Sequence, residues 1–266
     1  MKILLMVIIM NVLITGSASG IGYATGKFFL EKGYNVYLTT ETEKQLEVLN
    51  EKNNLNFNCF KLDVTNENDR KKLENLDIDI FISNAAIGIG GSILEANMDD
   101  VRKSYEINVF SNFETIKIVL ENMLKKNSGR IIIMSSMISN ISLPFLGIYS
   151  STKASISMLG KCLRKEINLV NKNIDIVLIE PGIYKTGFNK VMLDNKYGNS
   201  YSRFLKLNES IMNFENEILN CFGNDNLNSI VHTIYKASTD KKTKSIYRAP
   251  LLQNIFIKLY IKLIKK

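Results

Sequence analysis

The sequence predicts an α/β fold in which a doubly wound parallel β-sheet is flanked by helices. Short apolar runs that suit buried strands alternate with longer segments of helical periodicity. A glycine-rich turn separates the first such run from the first helical segment. No Pro/Gly/Ser-rich linker or internal repeat divides the 266 residues, of which 45% are apolar. We therefore expect a single domain around one substantial core.

The predicted elements follow one another in a regular order. A strand at 12–15 leads through the glycine turn into a helix at 21–32 that ends at Gly33. Further strands are predicted at 35–39, 58–62, 78–83, 130–134 and 174–179. Further helices are predicted at 42–50, 67–76, 97–126, 150–171 and 227–236. In such a sheet ligands bind beyond the carboxyl ends of the strands, so the loops there are the candidate site.

The two ends of the chain differ from the predicted domain at 11–249. Residues 1–10 form an apolar extension that is too short for a membrane span and lacks a small-residue cleavage site. It is either a mis-assigned start, with the natural one at Met6 or Met10, or a segment that touches a membrane or packs on the core. Residues 250–266 form a basic amphipathic tail.

Charge and cysteine content exclude several classes of protein. Residues 241–266 hold eight of the 34 basic residues and no acidic one, so the rest of the chain has 26 of each sign. A general nucleic-acid groove is therefore not supported, and no nucleic-acid partner is expected. The three cysteines, Cys59, Cys162 and Cys221, are far apart. Their spacing indicates neither a disulfide framework nor a metal site, and a reducing, cytoplasmic location is expected.

The loops after the predicted strands carry the chemistry. In Gly16-x-x-x-Gly20-x-Gly22 the missing side chains let the backbone approach a pyrophosphate, and the N–H groups that begin the next helix favour negative charge. Tyr-x-x-x-Lys occurs twice, at Tyr23/Lys27 and at Tyr149/Lys153. Only the second copy follows a strand that ends in serines, so we interpret the first as a decoy.

Together these motifs resemble the short-chain dehydrogenases/reductases, in the subgroup with a Thr-Gly-x-x-x-Gly-x-Gly loop. The resemblance runs from Asn11 to about Lys266 and implies a Rossmann-like sheet that binds a nicotinamide dinucleotide. One departure is Ala86, where the family's Asn-Ala-Gly element has glycine. The implied cofactor-binding residues are Gly16, Ser17, Ser19, Gly20, Ile21, Gly22, Thr40, Asp63, Val64, Asn84, Ala85, Tyr149, Lys153, Pro181, Gly182 and Thr186.

The resemblance also implies a catalytic set of Asn108, Ser136, Tyr149 and Lys153. Tyr149 and Lys153 lie four apart on a predicted helix, so an ammonium there would lower the tyrosine pKa from about 10 toward the working range. Tyr149 would then act as the general acid and base. Ser136, with Ser135 as the fallback, would polarise the carbonyl, and Asn108 would hold a water that relays protons to the lysine.

NAD and NADP both remain open as the cofactor. Thr40 ends the second strand, where an aspartate would favour NAD, and Glu41 follows where NADP users commonly carry arginine. Glu41 would repel a 2′-phosphate and Ser19 offers no basic group, so the residues favour NAD. Lys44 could still reach such a phosphate.

The substrate and partners follow from the remaining segments. The insertion at 187–230 is rich in apolar side chains, which either indicates an apolar carbonyl or alcohol substrate or reflects packing on the core: Phe188, Met192, Tyr197, Tyr201, Phe204 and Phe214. The tail at 250–266 would either lie on an anionic membrane surface or pack in an interface. The resemblance implies a homo-oligomer. His232 is the only histidine and is interpreted as structural, so a Ser-His-Asp hydrolase is not supported.

The predicted function is hydride transfer between a nicotinamide cofactor and a ketone or secondary alcohol. A rival of another class is a regulatory or scaffold protein that binds a dinucleotide without turnover. A second rival is an isomerase or dehydratase of the same fold, which would show no net nicotinamide oxidation.

Overall fold

A computed structural model describes residues 9–51, 56–188, 192, 203–204, 217, 220 and 223–264, with only the backbone of 258–264. Its strands are β1 (Asn11–Ile14), β2 (Asn35–Thr40), β3 (Asn58–Lys61), β4 (Ile80–Ser83), β5 (Gly129–Met134), β6 (Ile174–Pro181) and β7 (Ile246–Ala249). They pair in parallel in the order β3-β2-β1-β4-β5-β6-β7. The chain reverses its winding between β1 and β4, which is the switch point where ligands bind in such sheets.

Helices cover both faces of this sheet. They are α1 (Gly20–Glu31), α2 (Glu43–Glu51), α3 (Glu67–Lys71), α4 (Met98–Tyr105), α5 (Asn112–Lys126), α6 (Gly147–Val170), α7 (Asn228–Thr239) and α8 (Leu251–Ile264). Alternate residues of a strand point to opposite faces, so Val12 and Ile14 enter one core cluster and Leu13 the other. Burial on both faces explains why the strands are continuous apolar runs. The doubly wound parallel fold is confirmed.

Most predicted bounds differ from the observed ones by one to three residues, and the larger differences are these. β7 was not predicted, because it has only four residues and Arg248 interrupts their apolar character. The helix predicted at 67–76 ends at Lys71 and continues only as turns. The single helix predicted at 97–126 is interrupted by a π-helical segment at Glu106–Ser111. α6 begins three residues before the predicted start, at Gly147.

Candidate active site

The glycine loop between β1 and α1 is shaped by close backbone contacts. Gly16 has φ +61°, and a Cβ there would lie 2.7 Å from Ala85 Cα. A Cβ on Gly22 would lie 2.8 Å from both the Asn84 side-chain nitrogen and the Gly16 carbonyl oxygen. Gly20 has φ +59° at the first turn of α1. The loop is therefore a cradle that side chains would fill, which fits the pyrophosphate of a dinucleotide.

Asn84 joins the loop after β4 to the glycine loop. Its Nδ2 donates to the carbonyl oxygens of Thr15 at 3.0 Å and Gly16 at 2.9 Å. The buried Thr15 hydroxyl accepts from the backbone N–H groups of Asn84 and Ala85. These bonds hold the two loops at the switch point in one position, where Ile21 packs against the core.

Ser17 and Thr40 support this region from inside the sheet. Ser17 is fully buried, and its N–H and hydroxyl both donate to the Thr39 carbonyl oxygen. Thr40 is also buried, and its hydroxyl donates to Thr42 O at 3.1 Å. Both side chains are turned inward, so these two residues would meet a cofactor through their backbone groups, and their role in cofactor binding stays a prediction. Ser19 and Glu41, by contrast, are exposed.

The turn after β3 places Asp63 at the same edge. Its Oδ1 accepts from the N–H and hydroxyl of Thr65, while Val64 is buried in the core. The Asp63 N–H donates to Asp69 Oδ2 at 2.9 Å. Burial alone would raise the pKa of Asp69, but hydrogen bonds from Lys61, Lys72 and the Asp63 backbone lower it to about 2. The ionised carboxylate of Asp69 thus fixes the backbone of the turn after β3.

Asn108 lies in the π-helical segment and is nearly fully buried. Its Oδ1 accepts from Ile87 N at 2.8 Å, and its Nδ2 donates to Ile87 O at 2.9 Å and Thr152 Oγ1 at 3.1 Å. Both ends of the amide are therefore engaged with protein groups. Its contacts connect the loop after β4 to α6, whereas the predicted water relay stays a prediction.

Ser136, Tyr149 and Lys153 come together where β5 meets α6. The Ser136 side chain hydrogen-bonds to that of Tyr149. Lys153 is 4% exposed, and its Nζ donates to Met134 O at 3.0 Å and lies 5.8 Å from the centre of the Tyr149 ring. Ser135, the fallback, is instead turned into the helix, where its hydroxyl contacts that of Ser157 and donates to Lys153 O. The placement favours Ser136.

The pKa of Tyr149 shifts in the direction opposite to the expected one, and the pKa of Lys153 is lowered. Burial raises the pKa of Tyr149, although the hydrogen bond with Ser136 acts against the rise. Burial lowers the pKa of Lys153 to about 8. The expected lowering of the tyrosine pKa by the lysine is thus wrong for the protein by itself, because desolvation is larger than attraction across this distance. In this state Tyr149 is a neutral phenol.

The loop after β6 closes the far side of the crevice. The Gly182 N–H donates to Ala249 O at 2.8 Å, so the Pro181-Gly182 turn is tied to the end of β7. The Thr186 methyl carbon lies 3.5 Å from the position of a Cβ on Gly20. The loops after β1 and β6 therefore approach each other across the switch point.

Apolar side chains cover Tyr149. The ring of Phe188 lies 5.6 Å from that of Tyr149, and Cβ atoms placed on Gly88 would meet both Phe188 and Met192. Phe145 and Phe204 pack edge to face at 5.3 Å. The other aromatic residues predicted to line the substrate site, Tyr197, Tyr201 and Phe214, lie outside the described residues, as do residues 1–8 and Cys221.

The other Tyr-x-x-x-Lys pair and the single histidine were not predicted to act in catalysis. Tyr23 packs against the ring of Phe57 at 6.1 Å, and Lys27 is exposed. His232 is an exposed residue of α7 whose ring packs against Phe28 at 4.7 Å.

In the part of the chain that the structure describes, no group of three or more histidine, cysteine or acidic side chains could hold a metal ion. Across those same residues, no helix has the length and apolar character needed to cross a membrane.

Two features of the site were missed in the sequence. Glu180 of β6 is fully buried and accepts from Arg248 Nε of β7 at 2.6 Å. A glutamate at the end of an apolar strand could have signalled a buried partner. Gln253 of α8 bonds to Ile183 in the loop after β6, but the two residues are 70 positions apart and no pattern joins them.

Comparison with known proteins agrees with this geometry. The family model described as short chain dehydrogenase matches residues 10–196. A 3-ketodihydrosphingosine reductase from Bacteroides thetaiotaomicron is 30% identical over 215 residues, which cover 74% of this chain and 75% of that protein. The chain therefore belongs to the short-chain dehydrogenase family and is an oxidoreductase of that family.

Solved structures share the fold. A serine dehydrogenase in complex with NADP+ superimposes with a TM-score of 0.77 at 22% identity, over 92% of this chain and 96% of that one. A short-chain dehydrogenase/reductase from Burkholderia phymatum in complex with NAD also gives 0.77, at 17% identity, over 97% and 94% of the two chains. Both dinucleotides are thus found on this fold.

Proposed function

We propose that the protein transfers a hydride between a nicotinamide dinucleotide and an apolar ketone or secondary alcohol. The observation that carries this is the convergence of Ser136, Tyr149 and Lys153 beside a glycine cradle. When bound, the dinucleotide would supply or accept the hydride at the nicotinamide ring. The loops after β1, β4 and β6 would hold it, and the protein's own groups would handle the proton.

The role of Tyr149 follows from its neutral state. A phenol that hydrogen-bonds to the Ser136 side chain can donate its proton to a carbonyl oxygen, which suits the direction of reduction. The Ser136 hydroxyl would donate a hydrogen bond to the same carbonyl oxygen of the substrate. Lys153, fixed by Met134 O, would stabilise the phenolate left behind and contact the nicotinamide ribose. Asn108, in the π-helical segment, would keep the start of α6 in position through its hydrogen bond to Thr152.

NAD is the cofactor that the exposed groups favour. Ser19 and Glu41 are exposed, and Lys44 is the basic residue in the short segment that follows β2. Lys61, paired in register with Thr40, is bound to Asp69 at 2.7 Å. An acidic group where a 2′-phosphate would lie opposes NADP.

An apolar substrate is supported by the cover over Tyr149. Phe188 lies against both Gly88 and the ring of Tyr149, Met192 also lies against Gly88, and a Cβ on Gly147 would meet the Ile93 side chain. The Ile93 side chain, beside the start of α6, is also largely exposed. Such a surface would desolvate a hydrocarbon substrate better than a charged one.

We also propose that the protein binds the cytoplasmic face of an anionic membrane. The α8 residues Leu251, Leu252 and Ile255 are exposed, and residues 241–266 carry eight bases and no acid. Apolar contact and attraction to anionic lipid would act together there. Co-sedimentation with vesicles of phosphatidylglycerol and phosphatidylcholine, against vesicles of phosphatidylcholine alone, tests this location.

Self-association is proposed on a different face. A shallow apolar hollow of about 380 Å³ lies between the π-helical segment and α6, where Phe110 and Met158 are exposed. A second copy of the chain would cover these side chains. Light scattering on the wild type and on Phe110→Glu measures this, since the charge would shift the protein toward the monomer.

The function is tested by nicotinamide oxidation with NADH and NADPH in parallel, against a panel of steroid, retinoid, acyl and small ketones. Tyr149→Phe removes the proposed acid, and Tyr23→Phe is the matched control in the other Tyr-x-x-x-Lys copy. We expect turnover that survives only in the control variant. Dinucleotide binding without turnover on any ketone would favour the scaffold, and substrate conversion without net oxidation would favour the isomerase or dehydratase.

A further inference from the structure

The loop after β6 is held by a side chain from the C-terminal helix. The Ile183 N–H donates to Gln253 Oε1 at 2.7 Å, and Gln253 Nε2 donates to Ile183 O at 3.3 Å. One side-chain amide thus satisfies both polar groups of a single loop residue. Glutamine suits this task because its side chain ends in one acceptor and two donors.

The close approach of α8 extends along the turn. A Cβ on Gly182 would lie 2.1 Å from Gln253 Oε1 and 3.1 Å from Pro250 Cδ. The Gly182 N–H also donates to Ala249 O, directly before the helix. The start of α8 and the Pro181-Gly182 turn are therefore in contact through side chain and backbone.

The opposite end of the loop faces the crevice. Thr186 lies against Gly20 of the glycine cradle, as described above. Between them the loop has a second attachment, because Ile183 O accepts from Asn224 N at 3.1 Å and the Tyr184 hydroxyl contacts that of Ser229 at 2.7 Å. Loss of Gln253 would consequently tilt the loop without detaching it.

The outer surface of the same helix turn is exposed and apolar. Leu252, next to Gln253 in the chain, is 80% exposed, and Ile255 is 47% exposed. Gln253 itself is partly buried against the loop. One turn of α8 therefore presents apolar side chains outward and an amide inward, in a segment whose charged residues are all basic.

We propose that Gln253 is a positioning residue that couples the seating of α8 on an anionic lipid surface to the geometry of the dinucleotide-binding loop at 181–186. The proposal rests on the function proposed above. Lipid would cover Leu252 and Ile255 and restrict the helix. Through Gln253 that restriction would reach Ile183, and the loop would bind a dinucleotide more tightly on the membrane than off it.

Two variants separate the contacts. Gln253→Met keeps the length of the side chain but removes both hydrogen bonds, and Gln253→Glu keeps the acceptor for the Ile183 N–H. Leu252→Glu is the matched control, because it changes the outward side chain of the adjacent residue and leaves the amide in place. Calorimetry with NAD and NADP measures binding in solution. We expect an affinity about five- to tenfold weaker for Gln253→Met, a smaller loss for Gln253→Glu, and no change for Leu252→Glu.

Amide hydrogen exchange of the 181–186 segment, with and without vesicles of phosphatidylglycerol and phosphatidylcholine, measures the coupling itself and needs no dinucleotide. Vesicles should slow exchange in the wild type. Gln253→Met should bind vesicles with the loop unaffected, and Leu252→Glu should lose vesicle binding. Equal slowing in the wild type and Gln253→Met, or vesicle binding without slowing in the wild type, would overturn the proposal. Failure of the wild type to bind either dinucleotide would instead remove the proposed function.

Discussion

The loops after β1 and β4 are bound to each other, whereas the loop after β6 is bound both to the end of β7 and, from outside the sheet, to α8. Thr15 and Asn84 join the first two loops through buried or half-buried groups. Ile183 is bound by Gln253, a side chain from the far end of the chain, in addition to the backbone of Asn224. The first side of the crevice is therefore built as part of the core, and the second can respond to what α8 contacts.

Gly16→Ala should break the first side most strongly. The new Cβ would meet Ala85 Cα at 2.7 Å, and φ is +61°, so backbone strain adds to the collision. We expect unfolding free energy to fall by about 2–4 kcal/mol and dinucleotide affinity by more than about 100-fold. Chemical denaturation and calorimetry measure the two effects.

Gly33→Ala is the control for backbone strain. Its φ is +84°, but a Cβ there would have nothing within 4 Å. The substitution should cost about 1 kcal/mol and leave dinucleotide binding intact. Equal losses for the two variants would contradict the claim that the cradle depends on close approach to β4.

Lys153→Met tests whether burial lowers the pKa of Lys153. A lysine whose pKa is lowered to about 8 binds fewer protons in the folded than in the unfolded state between about pH 8 and 10.5. Wild-type stability should therefore gain about 2–3 kcal/mol across that window relative to the variant. Denaturation of both proteins at pH 7 and pH 10 measures this gain. The same profile in both proteins would contradict it, and the exposed Lys117→Met serves as control.

Asn84→Ala, on the first side of the crevice, should lower the unfolding free energy more than Gln253→Ala on the second side. The variant loses the hydrogen bonds to the Thr15 and Gly16 carbonyl oxygens, which should cost about 1–3 kcal/mol. Gln253→Ala should cost less, about 1 kcal/mol, because Asn224 and Ala249 still hold the loop. Urea midpoints of the two variants measure the difference. A larger loss for Gln253→Ala would reverse the comparison.

The first side was also the more predictable from sequence. Its glycines and Asn84 come directly after predicted strands, so they were found without knowledge of distant partners. The Tyr-x-x-x-Lys pair of α6 was found in the same way, from its spacing on one helix. Burial was not predictable, because it depends on the packed sheet: Ser17 and Thr40 are turned inward, and desolvation reverses the expected shift at Tyr149. β7 and the Gln253 contact were missed because each depends on partners distant in the chain.

The central claim is that Tyr149 serves hydride transfer from a nicotinamide dinucleotide, and isotope transfer tests it most directly. The wild type and Tyr149→Phe are supplied with NADH or NADPH in which both hydrogens at nicotinamide C4 are deuterium, together with the ketone panel, and the products are examined by mass spectrometry. We expect an alcohol with one deuterium on the carbinol carbon, formed at least about 100-fold more slowly by Tyr149→Phe. Unlabelled alcohol, or equal rates in the two proteins, would contradict the account.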